Sequence, residues 1–151
     1  MKTKTSKKMS EEPWWTYQGI NFDESLADAH FGFVYVITNI TTGRRYIGKK
    51  LFSSAGYKTV KGKRKRIRKP SDWKSYWGSS KLLQADIEQL GHYNFTREIV
   101  RLCDNRSQCT YYESKMILET DAIIREDYYN DYVQCRVSSS HLKAQYKTPS
   151  G

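Results

Sequence analysis

Two apolar runs joined by a short polar break decide the fold of this chain: Gly32-Phe33-Val34-Tyr35-Val36-Ile37-Thr38, then Asn39 to Gly43, then Arg45-Tyr46-Ile47-Gly48-Lys49-Lys50-Leu51-Phe52. The first run is dense in β-branched and aromatic side chains. Its near-continuous apolarity predicts a strand covered on both faces. Asn39, Thr41, Thr42 and Gly43 carry turn chemistry, so the second run is expected to fold back as an antiparallel partner. Gly48 inside that second strand marks a bulge or a close backbone approach.

Working outward, Trp14, Trp15 and Tyr17 mark where packed structure begins, because tryptophans cluster where there is something to bury against. Residues 1–12 read as a disordered basic tail, with Lys2, Lys4, Lys7 and Lys8 among Ser and Thr. No apolar segment follows it, as a signal peptide would require. Residues 53–72 hold Lys58, Lys61, Lys63, Arg64, Lys65, Arg66, Arg68 and Lys69 and, before Asp72, no acid. With Gly56, Gly62 and Pro70 as breakers, this segment reads as a basic loop ordered on binding. Ser79 or Ser80 is expected to cap a helix running to about Leu90, with Gly91 as its stop. Phe95 to Leu102 reads as a third strand, and Ser107 to about Ile124 as a second helix. Tyr128 to Tyr132 reads as a turn-like junction, Val133 to Val137 as a short strand or irregular packing, and residues 138–151 as a polar tail. The expected fold is therefore α/β (α+β): a small three-stranded antiparallel sheet flanked by helices, with one domain over residues 13–137.

The chain has 151 residues and a net charge of +10, from 26 Lys and Arg against 16 Asp and Glu. Such an excess attracts polyanions. No run approaches the ~18 apolar residues of a spanning helix, and a cytoplasmic protein without membrane attachment is expected. Cys103, Cys109 and Cys135 are odd in number and lack metal-ligand spacing, which predicts reduced structural thiols. His30, His92 and His141 form no metal pair.

With Phe33-Val34-Tyr35 and Tyr46-Ile47-Gly48 at hairpin spacing, the sequence resembles the GIY-YIG endonuclease superfamily. The stretch Ser71-Asp72-Trp73-Lys74-Ser75-Tyr76-Trp77-Gly78-Ser79-Ser80 and the Lys49-Lys50 pair resemble its phage SegE-like, homing-endonuclease-like branch. The likeness covers about residues 14–137. It implies a metal-dependent DNA endonuclease that hydrolyses phosphodiester bonds, phage-encoded and acting in the host cytoplasm on double-stranded DNA, as a monomer or homodimer. It further implies Mg²⁺ (or Mn²⁺) held by Glu113 on the second helix, with Glu119 as the competing carboxylate. The catalytic set by resemblance is Tyr35 and Tyr46 at the scissile phosphate, Glu113, and Asn130 as a brace. The family's helical arginine has no aligned counterpart, and Lys49, or Arg68 or Arg66 in the basic segment, is expected to supply its charge. Lys50, Lys58, Lys61, Lys63, Arg64, Lys65, Arg66, Lys69 and Lys74 are expected to contact nucleic acid, mostly at phosphates. Trp73, Tyr76 and Trp77 are candidates for base stacking, with core packing expected for at least two. The competing functional class is a catalytically silent nucleic-acid-binding module on the same fold.

Overall fold

A computed structural model of the chain describes residues 12–136 and 139–140. Strands β1 (Trp15–Tyr17) and β2 (Ile20–Asn21) come first. They are followed by the hairpin β3 (Gly32–Asn39) and β4 (Arg45–Leu51). Next come β5 (Ser53–Val60), β6 (Lys63–Pro70) and helix α1 (Lys81–Leu90). Strand β7 (Phe95–Cys103) and helix α2 (Arg106–Glu119) follow, and short 3₁₀ helices lie at Glu24–Ala29, Trp73–Ser75 and His92–Asn94. The main sheet has the order β2-β1-β7-β3-β4.

The expected hairpin is present, with Tyr35 opposite Gly48 and Ile37 opposite Tyr46. Asn39 builds its turn from the inside. Its buried Oδ1 accepts from the N–H groups of Thr41 and Thr42 and from Asn94 Nδ2. Gly43 closes the turn at a φ of +76°. β3 lies between β4 and β7, so both its edges are paired, and its two faces enter two different cores. Phe33, Tyr35 and Ile37 join Trp15, Trp73, Leu83, Ile87 and Phe95 in one core. Val34 and Val36 join Ile47, Cys109 and Ile117 in the other. Helix α1 thus covers one face and α2 the opposite one.

Four expectations are corrected. The sheet has five strands, not three, because Trp15 to Tyr17 and Ile20-Asn21 add to it. It is also not purely antiparallel, since β1 runs parallel to β7. The segment 53–72 is not a loop: β5 and β6 form a separate antiparallel ribbon, paired from Ser53–Pro70 to Val60–Lys63. Its turn is Lys61-Gly62, both at positive φ (51° and 75°), the geometry that suits the right-handed twist of a two-residue hairpin. The second helix starts earlier and stops sooner than expected. The Asn105 side chain accepts from Gln108 N as its cap, and the Thr120 hydroxyl turns back onto the carbonyl of Met116 at 2.7 Å. Asp121 then takes a φ of +57° and ends the helix.

α1 matches its expected span, with Ser80 accepting from Leu83 N. Residues 133–136 have no regular structure. The expected tails lie outside the described residues, apart from Glu12 and residues 139–140. Glu12 is held by a 2.8 Å hydrogen bond from Trp77 Nε1. Cys103 and Cys109 are free and buried, and Cys135 is free and exposed. Among the described residues, no helix is long and apolar enough to cross a membrane.

Candidate active site

β4 is an edge strand of the sheet, and its outer side is closed by chain that follows α2. Arg45 N–H donates to the Asp127 carbonyl, and Tyr129 N–H donates to the Arg45 carbonyl. One step further, the Asn130 side chain takes over. Its Oδ1 accepts from Ile47 N at 2.9 Å, and its Nδ2 donates to Ile47 O at 2.8 Å. Both polar ends of Asn130 are therefore engaged by backbone between Tyr46 and Gly48.

A cleft of about 400 Å³ opens beside this edge. Tyr35, Tyr46 and Lys49 line it from the hairpin, Ser79, Ser80 and Lys81 from the entry to α1, Glu113 from α2, and Asn130 to Gln134 from the closing segment. Five of the six sequence-expected catalytic residues are brought together here: Tyr35, Tyr46, Lys49, Glu113 and Asn130. Arg68 is not among them. It sits on β6, donates through Nε and Nη2 to Ser53 and lies over the Phe31 ring at 5.0 Å.

The alternation of side chains along β4 explains the division of roles. Tyr46, Gly48 and Lys50 face the aromatic core. Ile47 and Lys49 face α2. Tyr35 crosses directly over Gly48, so a Cβ on Gly48 would fall on the Tyr35 hydroxyl. The close approach read from the sequence is therefore made by the protein's own tyrosine. The Tyr35 and Tyr46 rings lie 6.2 Å apart. Gly78, at a φ of +87°, backs the Tyr46 ring, and the Tyr46 hydroxyl meets Ser79 Oγ at 3.1 Å. Burial pushes the Tyr46 phenol above its ordinary pKa, and the buried Tyr35 phenol further still. Both hold their protons at neutral pH.

Glu113 lies on the inward stripe of α2, one turn from Cys109 and one from Ile117. Its side chain is 18% exposed. Burial raises its carboxyl pKa above the ordinary value, and the charge of Lys49 opposes that shift. Lys49 Nζ stands 4.0 Å from Glu113 Oε1 and is steered by a 2.8 Å hydrogen bond to Thr110 Oγ1. Glu119, the competing carboxylate, lines a different surface hollow with Val34 and Arg101.

Among the described residues there is no cluster of three or more metal-ligating side chains. One half-buried carboxylate facing an open polar cleft instead fits a hard divalent ion such as Mg²⁺, which keeps several waters and needs only one or two carboxylates.

The remaining basic candidates lie outside this cleft. Lys50 turns to the other face, pairing with Asp72 at 2.6 Å beneath the Tyr76 ring. Lys74 pairs with Glu24 at 2.7 Å. Lys58, Lys61, Lys63, Arg64, Lys65, Arg66 and Lys69 are all exposed on the ribbon. Trp73 and Trp77 are core residues.

Sequence reasoning missed two residues of consequence. Lys81, in the first turn of α1, lines the cleft; a charge at that position reads as a solvated helix end. Arg97 is 1% exposed. Its guanidinium lies between the rings of Trp15 and Trp77 and donates to the carbonyls of Pro13, Lys74 and Tyr76. It thereby clamps the segment that leads to Ser79. Its alternation with Phe95 and Ile99 on the inward face was the available signal.

The cleft thus brings together Tyr35, Tyr46, Glu113 and Asn130, the residues expected from the resemblance to GIY-YIG nucleases. The chain belongs to the family described as putative endonuclease segE, GIY-YIG domain, whose model matches residues 15–133. No curated protein and no solved structure gives a match.

Proposed function

We propose that this protein is a divalent-metal-dependent DNA endonuclease, phage-encoded, that hydrolyses phosphodiester bonds at the cleft beside β4. The observation that carries the reading is the convergence of Tyr46, Lys49, Lys81 and Glu113 from three different elements on one cavity. Phosphodiester hydrolysis needs an oriented water and stabilisation of the charge added to the phosphate. Lys49 and Lys81 provide ammonium groups for that charge, and the positive end of α1, whose first residues line the cleft, adds to them. The protonated Tyr46 phenol orients the attacking water or a phosphate oxygen by hydrogen bonding. Tyr35, enclosed beneath it, is a positioning residue, as is Asn130. Glu113 would hold Mg²⁺ or Mn²⁺, whose positive charge would polarise the phosphate and acidify a water. Lys81 and Lys49 together take the part expected of the family's helical arginine, and Arg68 acts with the ribbon instead.

Plasmid cleavage with Mg²⁺ tests this reading. Wild type is expected to cleave, and Glu113→Ala to lose cleavage while still binding DNA. A pure wild-type protein that binds plasmid but never cuts it would leave only the silent binding module. Phage origin is supported by the SegE-type family match and is checked by whether the coding sequence lies among phage genes.

A further inference from the structure

The ribbon sorts its charges by chemistry. Alternate residues of a strand face opposite ways, and directly opposed residues of an antiparallel pair share a face. The β5–β6 register is unbroken from Ser53–Pro70 to Val60–Lys63. Arg64, Arg66 and Arg68 therefore share one face with Tyr57. Lys58, Lys63, Lys65 and Lys69 share the other. Every one of these side chains is exposed, and neither strand packs substantially against another strand or helix. Lys58 and Lys65 stand directly opposite each other, a like-charge pairing that works against the isolated ribbon. A lone hairpin of this kind is marginal in water, and no acid between Ser53 and Ser71 offsets its charge.

We infer that the ribbon enters the major groove of duplex DNA and reads guanine edges with Arg64 and Arg66, while the lysine face holds the flanking phosphates; this rests on the nuclease reading for its substrate. The B-DNA major groove admits a two-stranded ribbon. Same-face residues along a strand recur every ~6.6 Å, close to two base-pair steps of ~3.4 Å. Successive arginines are thus in step with every second base pair. The guanidinium fork pairs bidentately with guanine O6 and N7, whereas lysine serves phosphates as a point charge. Arg64 is stacked over the Tyr57 ring at 4.1 Å, which limits its rotamers before DNA arrives. Arg68 at the ribbon's base is already held across the ribbon by Ser53 and lies over the Phe31 ring of the body, so it anchors the ribbon rather than reading bases.

Selection from a random-sequence duplex pool, in EDTA so that nothing is cut, tests the inference. Wild type is expected to enrich a guanine-containing motif. The R64K/R66K variant keeps the charge and is expected to lose the motif. K58Q/K65Q is expected to keep it, with affinity reduced on all sequences and the log–log salt slope shallower by about 1.8. Replacing the motif guanines with 7-deazaguanine, which lacks the N7 acceptor, is expected to weaken wild-type binding at least about fivefold. No enriched motif, a motif that survives R64K/R66K, or undiminished binding to the 7-deaza duplex would each overturn the inference. Equal binding of the same sequence as duplex RNA, whose major groove is too narrow to enter, would overturn it too. Plasmid cutting is scored separately. A protein that cuts without a motif loses only the ribbon's role, and one that selects a motif without cutting loses only the nuclease reading.

Discussion

Asn130 and Ile47 form a two-point pair in which one side-chain amide satisfies both backbone groups of Ile47 on the outer side of an edge strand, at 2.9 and 2.8 Å. The pair fixes β4 between Tyr46 and Gly48, where a shift of a few tenths of an ångström would move the phenol in the cleft. Asn130→Ala is expected to cost about 1–3 kcal/mol, the range for leaving nearly buried hydrogen-bonding groups unmet. Asn130→Asp keeps the acceptor for Ile47 N but turns a carboxylate oxygen onto the Ile47 carbonyl, so it is expected to lose at least as much as the alanine variant. Urea denaturation measures both. Stability unchanged in the alanine variant would show that water replaces the amide at no cost.

Gly48→Ala places a methyl group where the Tyr35 hydroxyl lies. The ring is enclosed, so it cannot swing aside freely. A loss of roughly 1–3 kcal/mol is expected, as for other overpacked sites, together with reduced cleavage as Tyr46 is displaced. The double variant Gly48→Ala with Tyr35→Leu, which removes both the hydroxyl and the ring carbons that meet the added methyl group, should lose less than the sum of the single losses. Additive losses in that pair would mean that the two residues do not collide.

Glu113 is expected to stabilise the protein less when ionised. Its carboxyl pKa is raised in the folded state by burial. As pH rises from the ordinary carboxylate value to the raised one, the unfolded chain gives up this proton first. This group's contribution to stability therefore falls through that window and stays level above it. Glu113→Gln removes the effect. The variant should gain on wild type at pH 7 and lose that advantage towards pH 4, while cleavage is abolished. Thermal melts at the two pH values check the sign. An advantage that grows on acidification would contradict it.

Lys49 is the charge that opposes that shift. Lys49→Gln should raise the Glu113 pKa further and move the acid limb of the cleavage profile to higher pH. A lysine that only held DNA would change KM and leave the limb where it is. Lys81 is expected to behave differently, because among the described residues no carboxylate is paired with it. Lys81→Ala should lower kcat by about 10²-fold, as for loss of one donor to a developing negative charge, with no shift of the acid limb.

The hairpin, helix α1 with its Ser80 cap and Gly91 stop, and the positions of Glu113 and Asn130 were legible in the sequence. Each leaves a periodic or motif signature. Glu113 in particular interrupts an inward stripe between Cys109 and Ile117. β1 and β2 were not legible as strands, since three and two residues are too few to display alternation. The ribbon was hidden for a different reason. Its period of two alternates Arg with Lys, and hydropathy sees no difference between them. Gly62, taken as a breaker, is half of the turn that makes the ribbon possible. Lys81 was hidden because its importance lies in which cavity the first turn of α1 faces, a matter of tertiary placement. Arg68 lies outside the cleft, bonded to Ser53, because proximity in sequence to Tyr46 is not proximity in space.

The closing segment from Asp127 to Asn130 has one more effect. A strand at the margin of a sheet offers its unpaired backbone to any passing strand, and proteins must blunt that invitation. Here the margin is blunted by a few backbone contacts and one amide rather than by another full strand. Tyr46 therefore remains reachable from the flank. The molecule thus combines an edge that resists strand addition with a flank that, on the proposed reading, leaves room for a duplex to reach Tyr46.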